Sequence, residues 1–125
     1  MNNLKVHPLY THYGYNTSDN NIYHIKLNRI VQQRIHNSGY SSLMVSDGHE
    51  NKRSIMSHRF IWECCNDIIP KNYEIDHINK IKTDNRIDNL RCVTMQENRQ
   101  YRDHTNIIKY AKIAHTLVRF INKYR

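Results

Sequence analysis

Two short apolar runs enclose a polar loop between residues 73 and 98, and this segment limits the possible folds more than any other. Residues 73–78 (YEIDHI) and 90–93 (LRCV) each predict a short strand. Thr94 and Glu97 follow with the spacing of a capping box, which predicts that a helix opens at Met95. The sequence therefore predicts a strand–loop–strand–helix unit.

The polar side chains of this unit are those that phosphodiester hydrolysis requires. Asp76 and His77 are adjacent, and Asn89 and Asn98 follow them. The reaction needs a base that activates water and a cation beside the scissile phosphate. A neutral histidine suits the base, and carboxylate and amide oxygens suit a hard cation. Adjacent residues on a regular strand point to opposite faces, so Asp76 and His77 can serve one site only if the strand bends or ends there.

A set of short motifs runs through and around this segment. They are Ile75-Asp76-His77-Ile78-Asn79, Asp84-Asn85-Arg86, Asn89-Leu90, Val93-Thr94, Glu97-Asn98 and, upstream, His58-Arg59-Phe60. Together these motifs closely resemble the HNH endonuclease family, in the form common in phage homing enzymes and in free-standing genes of large DNA viruses. The resemblance implies DNA endonuclease activity at a site that grips one divalent metal ion, and it suggests a virus-encoded protein.

The resemblance also implies a role for each matching residue. His77 is the general base, and Asn89 supports catalysis by hydrogen-bonding across the loop and helping to hold His77. Asp76 and Asn98 bind the metal through oxygen. Because Asn98 stands where other members carry histidine, the resemblance favours Mg²⁺ or Mn²⁺ over Zn²⁺. From the residues alone, His58 is expected to pack or cap at its helix start, and Asp84, Asn85 and Arg86 are expected to form loop turns.

The charge distribution predicts double-stranded DNA as the partner. The net charge is +8, yet residues 57–103 are neutral, with eight basic and eight acidic residues, and residues 104–125 carry five basic residues and no acid. Basic flanks can hold phosphates around a metal-binding centre. The basic side chains that we expect to contact DNA are Lys80, Lys82, Arg86, Arg99, Arg102, Lys109, Lys112, Arg119 and Lys123.

The predicted fold class is α+β. Residues 22–35 predict a hairpin with a turn near Asn28, and residues 40–46 and 51–56 predict further strands of one small antiparallel sheet. Residues 1–21 are expected to be irregular and to end in a turn. Ser57 is expected to cap a helix over 58–66.

The predicted division has three parts. Residues 1–56 form a DNA-binding sheet region, residues 57–103 form the nuclease unit, and residues 104–125 form a basic C-terminal helix. An apolar stripe between residues 106 and 124 predicts that this last helix is amphipathic.

The remaining composition limits compartment and partners. The three cysteines lack any CxxC pair, which disfavours a disulfide framework and a structural zinc site and favours a reducing intracellular compartment. No apolar run approaches the ~18 residues of a membrane span, and the first residues lack a hydrophobic signal core, so neither membrane insertion nor secretion is expected. A monomer and a homodimer both remain open.

Three alternatives to a DNA endonuclease follow from the same sequence. The chain is otherwise a DNA-binding protein that retains the scaffold without catalysis, an RNA-directed nuclease or toxin, or a zinc-stabilised module. The complete set of Asp76, His77, Asn89 and Asn98 argues against the first alternative. The missing CxxC pairs argue against the last.

Overall fold

The computed structural model of the protein describes residues 3–47 and 51–99. The chain divides into two compact units, Met1–Cys92 and Val93–Arg125. The predicted basic helix over 104–125, with its apolar stripe, lies outside the described residues. Within the described part, no helix is long and apolar enough to cross a membrane.

The first unit opens with a four-stranded antiparallel sheet in the order β1-β2-β3-β4. Its strands are β1 (Leu4–Val6), β2 (Tyr13–Asn16), β3 (Ile22–His24) and β4 (Arg29–Ile30). The expected hairpin with a turn near Asn28 is confirmed, and Asn28 has the positive φ (49°) that such a turn accommodates.

The expectation of irregular structure in residues 1–21 was wrong. The segment contains β1 and β2, which pair with each other in the register Lys5 to Tyr15. Tyr15 is fully buried, as a core-facing strand residue should be. Its polar surroundings in the sequence concealed this strand, because a segment of only four residues gives too short an alternation to detect.

A second, three-stranded antiparallel sheet follows, in the order β5-β6-β7. It consists of β5 (Arg34–Ile35), β6 (Ser41–Ser46) and β7 (Lys52–Met56). The strands expected over 40–46 and 51–56 are thus present, but the expectation of a single sheet was wrong. The chain leaves the first sheet after β4, and the two-residue strand β5 begins a separate set of pairs with β6.

Helix α1 (Ser57–Cys65) follows β7 without a loop. The expectation that Ser57 caps this helix was wrong: Met56 is the N-cap residue, with extended backbone angles and no side-chain cap bond. Ser57 is already helical, and its fully buried hydroxyl has no hydrogen-bond partner in the described part of the chain. Because the helix begins directly after the strand, the N-cap position falls one residue earlier, on Met56, whose side chain makes no capping hydrogen bond.

Helix α1 lies at the centre of the hydrophobic core of the first unit. Phe60, Ile61 and Cys64 are buried, and Cys65 packs against them half-buried. The core also receives residues from both sheets, among them Tyr15 and Leu43. The helix therefore packs against both sheets, and the strand that follows it in the chain also contacts the helix.

The predicted strand–loop–strand unit is present as β8 (Tyr73–His77) and β9 (Leu90–Thr94), which form a two-stranded sheet. A short 3₁₀ turn (Ile87–Asn89) ends the loop between them. Helices and antiparallel sheets together confirm the predicted α+β class.

The second unit begins at Val93, and its residues 95–99 are helical. Thr94 N–H donates to Glu97 Oε2 and Glu97 N–H donates to Thr94 Oγ1, both at 3.0 Å. This reciprocal pair confirms the predicted capping box and the predicted start of the helix at Met95.

Candidate active site

Strand β8 carries the Asp-His pair into the protein interior at the point where the strand ends. Asp76 is 9% exposed and His77 is 4% exposed. The strand stops at His77 because the chain turns: Lys80 N–H donates to His77 O at 3.0 Å, and Lys80 has a positive φ of 66°. The strand therefore ends at the Asp-His pair, as a shared site requires, but the two side chains meet different neighbours.

Three side chains surround the His77 ring. Asn85, from the loop after β8, places its Oδ1 2.7 Å from His77 Nε2. The His58 ring, near the start of α1, has its centroid 5.0 Å from that of His77, and the Tyr40 ring lies at 6.0 Å. The imidazole is thus held by one hydrogen bond and by two rings that come from different parts of the chain.

The hydrogen bond to His77 continues away from the site as a line of polar groups. Asn85 Nδ2–H donates to Ser41 Oγ at 2.9 Å, and the Ser41 hydroxyl donates to Gln33 Oε1 at 3.4 Å. Ser41 is the first residue of β6 and is 5% exposed. The candidate base is therefore connected to the three-stranded sheet by consecutive hydrogen bonds.

Two basic side chains hold the Asp76 carboxylate. Arg91, in β9, donates to Oδ2 through Nε at 2.9 Å and places Nη2 2.8 Å from the same oxygen. Lys80 Nζ donates to Oδ1 at 3.4 Å. These two cations offset the cost of burying the carboxylate charge.

Asn89 closes the loop rather than touching His77 directly. Its Oδ1 accepts from Asn79 N–H at 3.0 Å, and its Nδ2 donates to Asn79 Oδ1 at 2.9 Å and to Asp84 O at 2.8 Å. Its backbone oxygen accepts from Ile78 N–H at 2.8 Å. Asn89 is 7% exposed, and its amide uses both donors and its oxygen in bonds that fix the loop on either side of Asn85.

The three basic loop residues expected to contact DNA all have partners within the protein. Lys80 pairs with Asp76, and Arg86 forms two hydrogen bonds with Asp84, at 2.8 and 2.9 Å. Lys82 Nζ donates to Ser38 O at 2.8 Å and lies 4.8 Å from the centre of the Tyr40 ring. The hydrogen bonds from Arg86 and Asn79 hold the pKa of Asp84 well below its usual range, so the Arg86–Asp84 pair stays charged.

Two further predicted residues belong to the second unit. Asn98 is half-buried and Arg99 is exposed, both on the helical segment 95–99. The remaining predicted DNA contacts lie outside the described residues: Arg102, Lys109, Lys112, Arg119 and Lys123. The structure therefore brings together Asp76, His77 and Asn89 within the first unit, and their roles and that of Asn98 stay predictions.

His58 is more closely integrated into the site than its sequence position indicated. It is 8% exposed and stacks on Tyr40 with ring centroids 5.2 Å apart. Its Nδ1 is buried and has no hydrogen-bond partner among the described residues. Burial, reinforced by the positive charge that His77 and Arg59 can carry, lowers the pKa of His58 to about 4.

Sequence reasoning also missed the link between Asn85 and His77. Asn85 was expected to be a loop-former, and Tyr40 and Ser41 were expected to lie only in a strand. The spacing of eight residues between His77 and Asn85 gave no signal of contact, because an irregular loop has no fixed period that would reveal which side chains meet.

No cluster of three or more His, Cys, Asp or Glu side chains that could hold a metal occurs within residues 3–47 and 51–99. Cys64 and Cys65 are free thiols. Burial raises the pKa of the Cys65 thiol, as it does that of Cys64, so these thiols are held in their protonated form. A metal site built from Asp76 and an amide oxygen would contain only one His, Cys, Asp or Glu side chain, so it would not form such a cluster.

Comparisons with known proteins agree with the motifs. Residues 56–100 match the family model of the HNH endonucleases. The fold is similar to a solved structure of the HNH homing endonuclease I-HmuI, a study of DNA binding and cleavage, with a TM-score of 0.69 and 22% identity over 90% of this chain and 67% of that chain. No curated protein gives a significant match. Residues 56–100 contain β8, the loop and β9, so the segment that matches the HNH endonucleases is the one that carries Asp76, His77 and Asn89.

Proposed function

We propose that this protein is a DNA endonuclease that hydrolyses phosphodiester bonds with His77 as general base and one divalent metal ion, Mg²⁺ or Mn²⁺. The observation that carries the proposal is the buried Asp76–His77 pair at the end of β8, inside the segment that matches the HNH endonucleases. Phosphodiester hydrolysis needs a positioned base and, next to it, an anionic side chain that can bind the metal ion. His77 is suited to the first role and Asp76 to the second.

His77 is suited to accept a proton from the attacking water. Its ring is held on one side by Asn85 and packed by His58 and Tyr40, which restricts the orientations it can adopt. Restriction of this kind lowers the entropic cost of bringing the base to the reacting water. Asn89 supports the arrangement indirectly, because it fixes the loop that carries Asn85.

The donor chemistry fits a hard cation. A carboxylate has about four acceptor positions, so the bonds from Arg91 and Lys80 leave Asp76 able to bind a metal as well. Asp76 and Asn98 would hold the ion through oxygen atoms, which suits Mg²⁺ or Mn²⁺. When bound, the ion would supply positive charge beside the scissile phosphate and the leaving oxygen.

Double-stranded DNA is the proposed substrate. The related homing endonuclease was solved in a study of DNA binding and cleavage, and this chain carries a net charge of +8. We assign nuclease chemistry to residues 57–103 and phosphate binding to residues 1–56 and 104–125. Because Lys80, Lys82 and Arg86 have internal partners, they would have to exchange those partners in order to contact DNA.

Cleavage of supercoiled and linear duplex DNA tests the proposal, with Mg²⁺, with Mn²⁺ and after chelation. Either ion should support cleavage, and chelation should abolish it. His77→Ala should lower turnover by roughly 100-fold or more while DNA binding persists. His12→Ala is the matched control, because that histidine is exposed and outside the site; its turnover at saturating DNA should equal that of the native protein.

Two outcomes would refute the proposed activity. Full turnover by a folded His77→Ala variant would show that His77 is not the general base. Cleavage that survives thorough chelation would show that the reaction does not need a metal ion. DNA binding without cleavage under any metal would instead identify a DNA-binding protein that retains only the scaffold.

The proposed DNA contact of the tail has its own test. Four basic residues are changed to glutamine together: Lys109, Lys112, Arg119 and Lys123. Binding should weaken for all DNA sequences alike, and the dependence of log K on log salt should become less steep by up to about 0.9 for each phosphate that the tail neutralises. Turnover at saturating DNA should be retained. An unchanged salt dependence would show that the tail does not contact DNA.

A further inference from the structure

We propose that Asn85 is a positioning residue that selects the tautomer of His77, with the proton on Nε2 and the lone pair free on Nδ1. This inference rests on the proposed function, because it says which ring nitrogen accepts the proton from water. In the same proposal, Ser41 and Gln33 set the direction in which the Asn85 amide points.

A neutral imidazole carries one proton, and the two ring nitrogens compete for it. Asn85 Oδ1 lies 2.7 Å from His77 Nε2, and an amide oxygen can only accept a hydrogen bond. The contact is therefore satisfied only when Nε2 is the protonated nitrogen. His77 is 4% exposed, so water has little access to replace this bond if it is broken.

The direction of the Asn85 amide is fixed from the other side. Its Nδ2 group faces Ser41 Oγ at 2.9 Å, and the Ser41 hydroxyl proton points to Gln33 Oε1 at 3.4 Å. An imidazole, an amide and a hydroxyl each have both a donor and an acceptor, so this line has only two self-consistent directions. Rotating the Asn85 amide alone would place a donor against the protonated nitrogen of His77, at the cost of an unmade buried bond.

The alternative direction would disable the base. If Asn85 donated to Nε2, the proton of His77 would move to Nδ1, and neither nitrogen would offer a free lone pair. Support of this kind around a functional histidine is typically worth roughly 10-fold to 100-fold in activity. Because Asn85 would act through His77 and not on the substrate, its removal should lower kcat and leave KM nearly unchanged.

Nitrogen-15 NMR of the histidine side chains tests the inference on the protein without DNA or metal. The spectra are recorded at about pH 8.5, two units above the usual histidine pKa of ~6.5, and the two nitrogen shifts of a neutral imidazole report its tautomer. The native protein should show His77 protonated on Nε2. Asn85→Leu, which has nearly the same shape but no acceptor, should give a mixture of tautomers and lower kcat by about 10-fold or more.

The conservative variant separates positioning from packing. Asn85→Asp supplies only acceptors, so it should keep the proton on Nε2, whereas a purely structural role would make Asp and Leu equally disruptive. Ser41→Ala should weaken the selection without touching His77. Its matched control is Ser42→Ala, since Ser42 is the next residue of β6, is equally buried at 5% and faces His36 instead.

The outcomes distinguish this inference from the proposed function. A native His77 protonated on Nδ1, or an Asn85→Leu variant with an unchanged tautomer, would overturn the inference even if the protein cuts DNA. If Asn85→Leu does not fold, the same comparison between Ser41→Ala and Ser42→Ala decides, and equal tautomer populations in the two would overturn it. A protein with the expected tautomer that does not cleave DNA would refute the proposed function alone.

Discussion

Replacement of His58 by phenylalanine should remove a specific source of acid sensitivity from this protein. His58 is 8% exposed, stacks on Tyr40 and lies beside His77, and its buried Nδ1 has no partner among the described residues. A charged imidazole is disfavoured there by burial first, and then by the positive charges that His77 and Arg59 can carry. Phenylalanine keeps a flat ring in the same place and cannot take up a proton.

The sign of the effect follows from the two pKa values. The pKa of His58 falls from 6.5 in the unfolded chain to about 4 in the folded protein, so between these values the unfolded chain binds more protons. The free energy of unfolding is therefore fully retained above about pH 6.5 and declines as the pH falls toward 4. The full difference corresponds to about 3 kcal/mol, of which about 2 kcal/mol is lost between pH 7.5 and pH 5.

Urea unfolding at pH 7.5 and at pH 5 measures this directly. The native protein should lose about 2 kcal/mol more between the two pH values than His58→Phe does. Ile61→Val is the control: this residue is 1% exposed, and removal of the methylene should cost about 1 kcal/mol at both pH values alike. Equal losses in the native protein and in His58→Phe would refute the reasoning.

Three further changes have outcomes that the structure sets. Glu63→Gln should lower the free energy of unfolding at pH 7 by roughly 1–3 kcal/mol, measured by urea titration. The Glu63 carboxylate accepts hydrogen bonds from His7 Nε2 at 3.1 Å and from the Ile69 N–H at 3.0 Å, and the single oxygen of an amide cannot replace both carboxylate oxygens. Burial alone would raise the pKa of Glu63, but these bonds lower it below its usual value. The native protein should therefore have a higher free energy of unfolding than the variant above about pH 4.5, and this difference should shrink at lower pH as the carboxylate is protonated. Gly14→Ala should lower the melting temperature, since an added Cβ would lie 2.9 Å from the Lys5 carbonyl oxygen, and an unchanged value would show that β1 can shift away. Thr94→Ala should reduce helical circular dichroism by removing the capping bond to Glu97, at a cost of about 1 kcal/mol, while Thr94→Ser should retain it.

Residues that are close together in the chain were enough to specify several parts of this protein. The Thr94–Glu97 spacing specified the capping box and the start of a helix, and both hydrogen bonds are present. The turn near Asn28 was equally readable, because asparagine tolerates the positive φ that the turn requires. The motif around Asp76 and His77 indicated a resemblance to the HNH endonucleases, and residues 56–100 match the model of that family.

Features that join distant parts of the chain follow only from the fold. Asn85 meets Ser41 across 44 residues, and this contact orients the amide that faces His77. The pairing of β1 with β2 hid in a polar segment, because a strand is stabilised by its partner and not by its own residues. The burial of His58 likewise comes from Tyr40 and His77, which pack on it only in the folded protein. Local pattern fixes hydrogen bonds within one turn, but which side chains share a buried site depends on the fold that brings their backbones together.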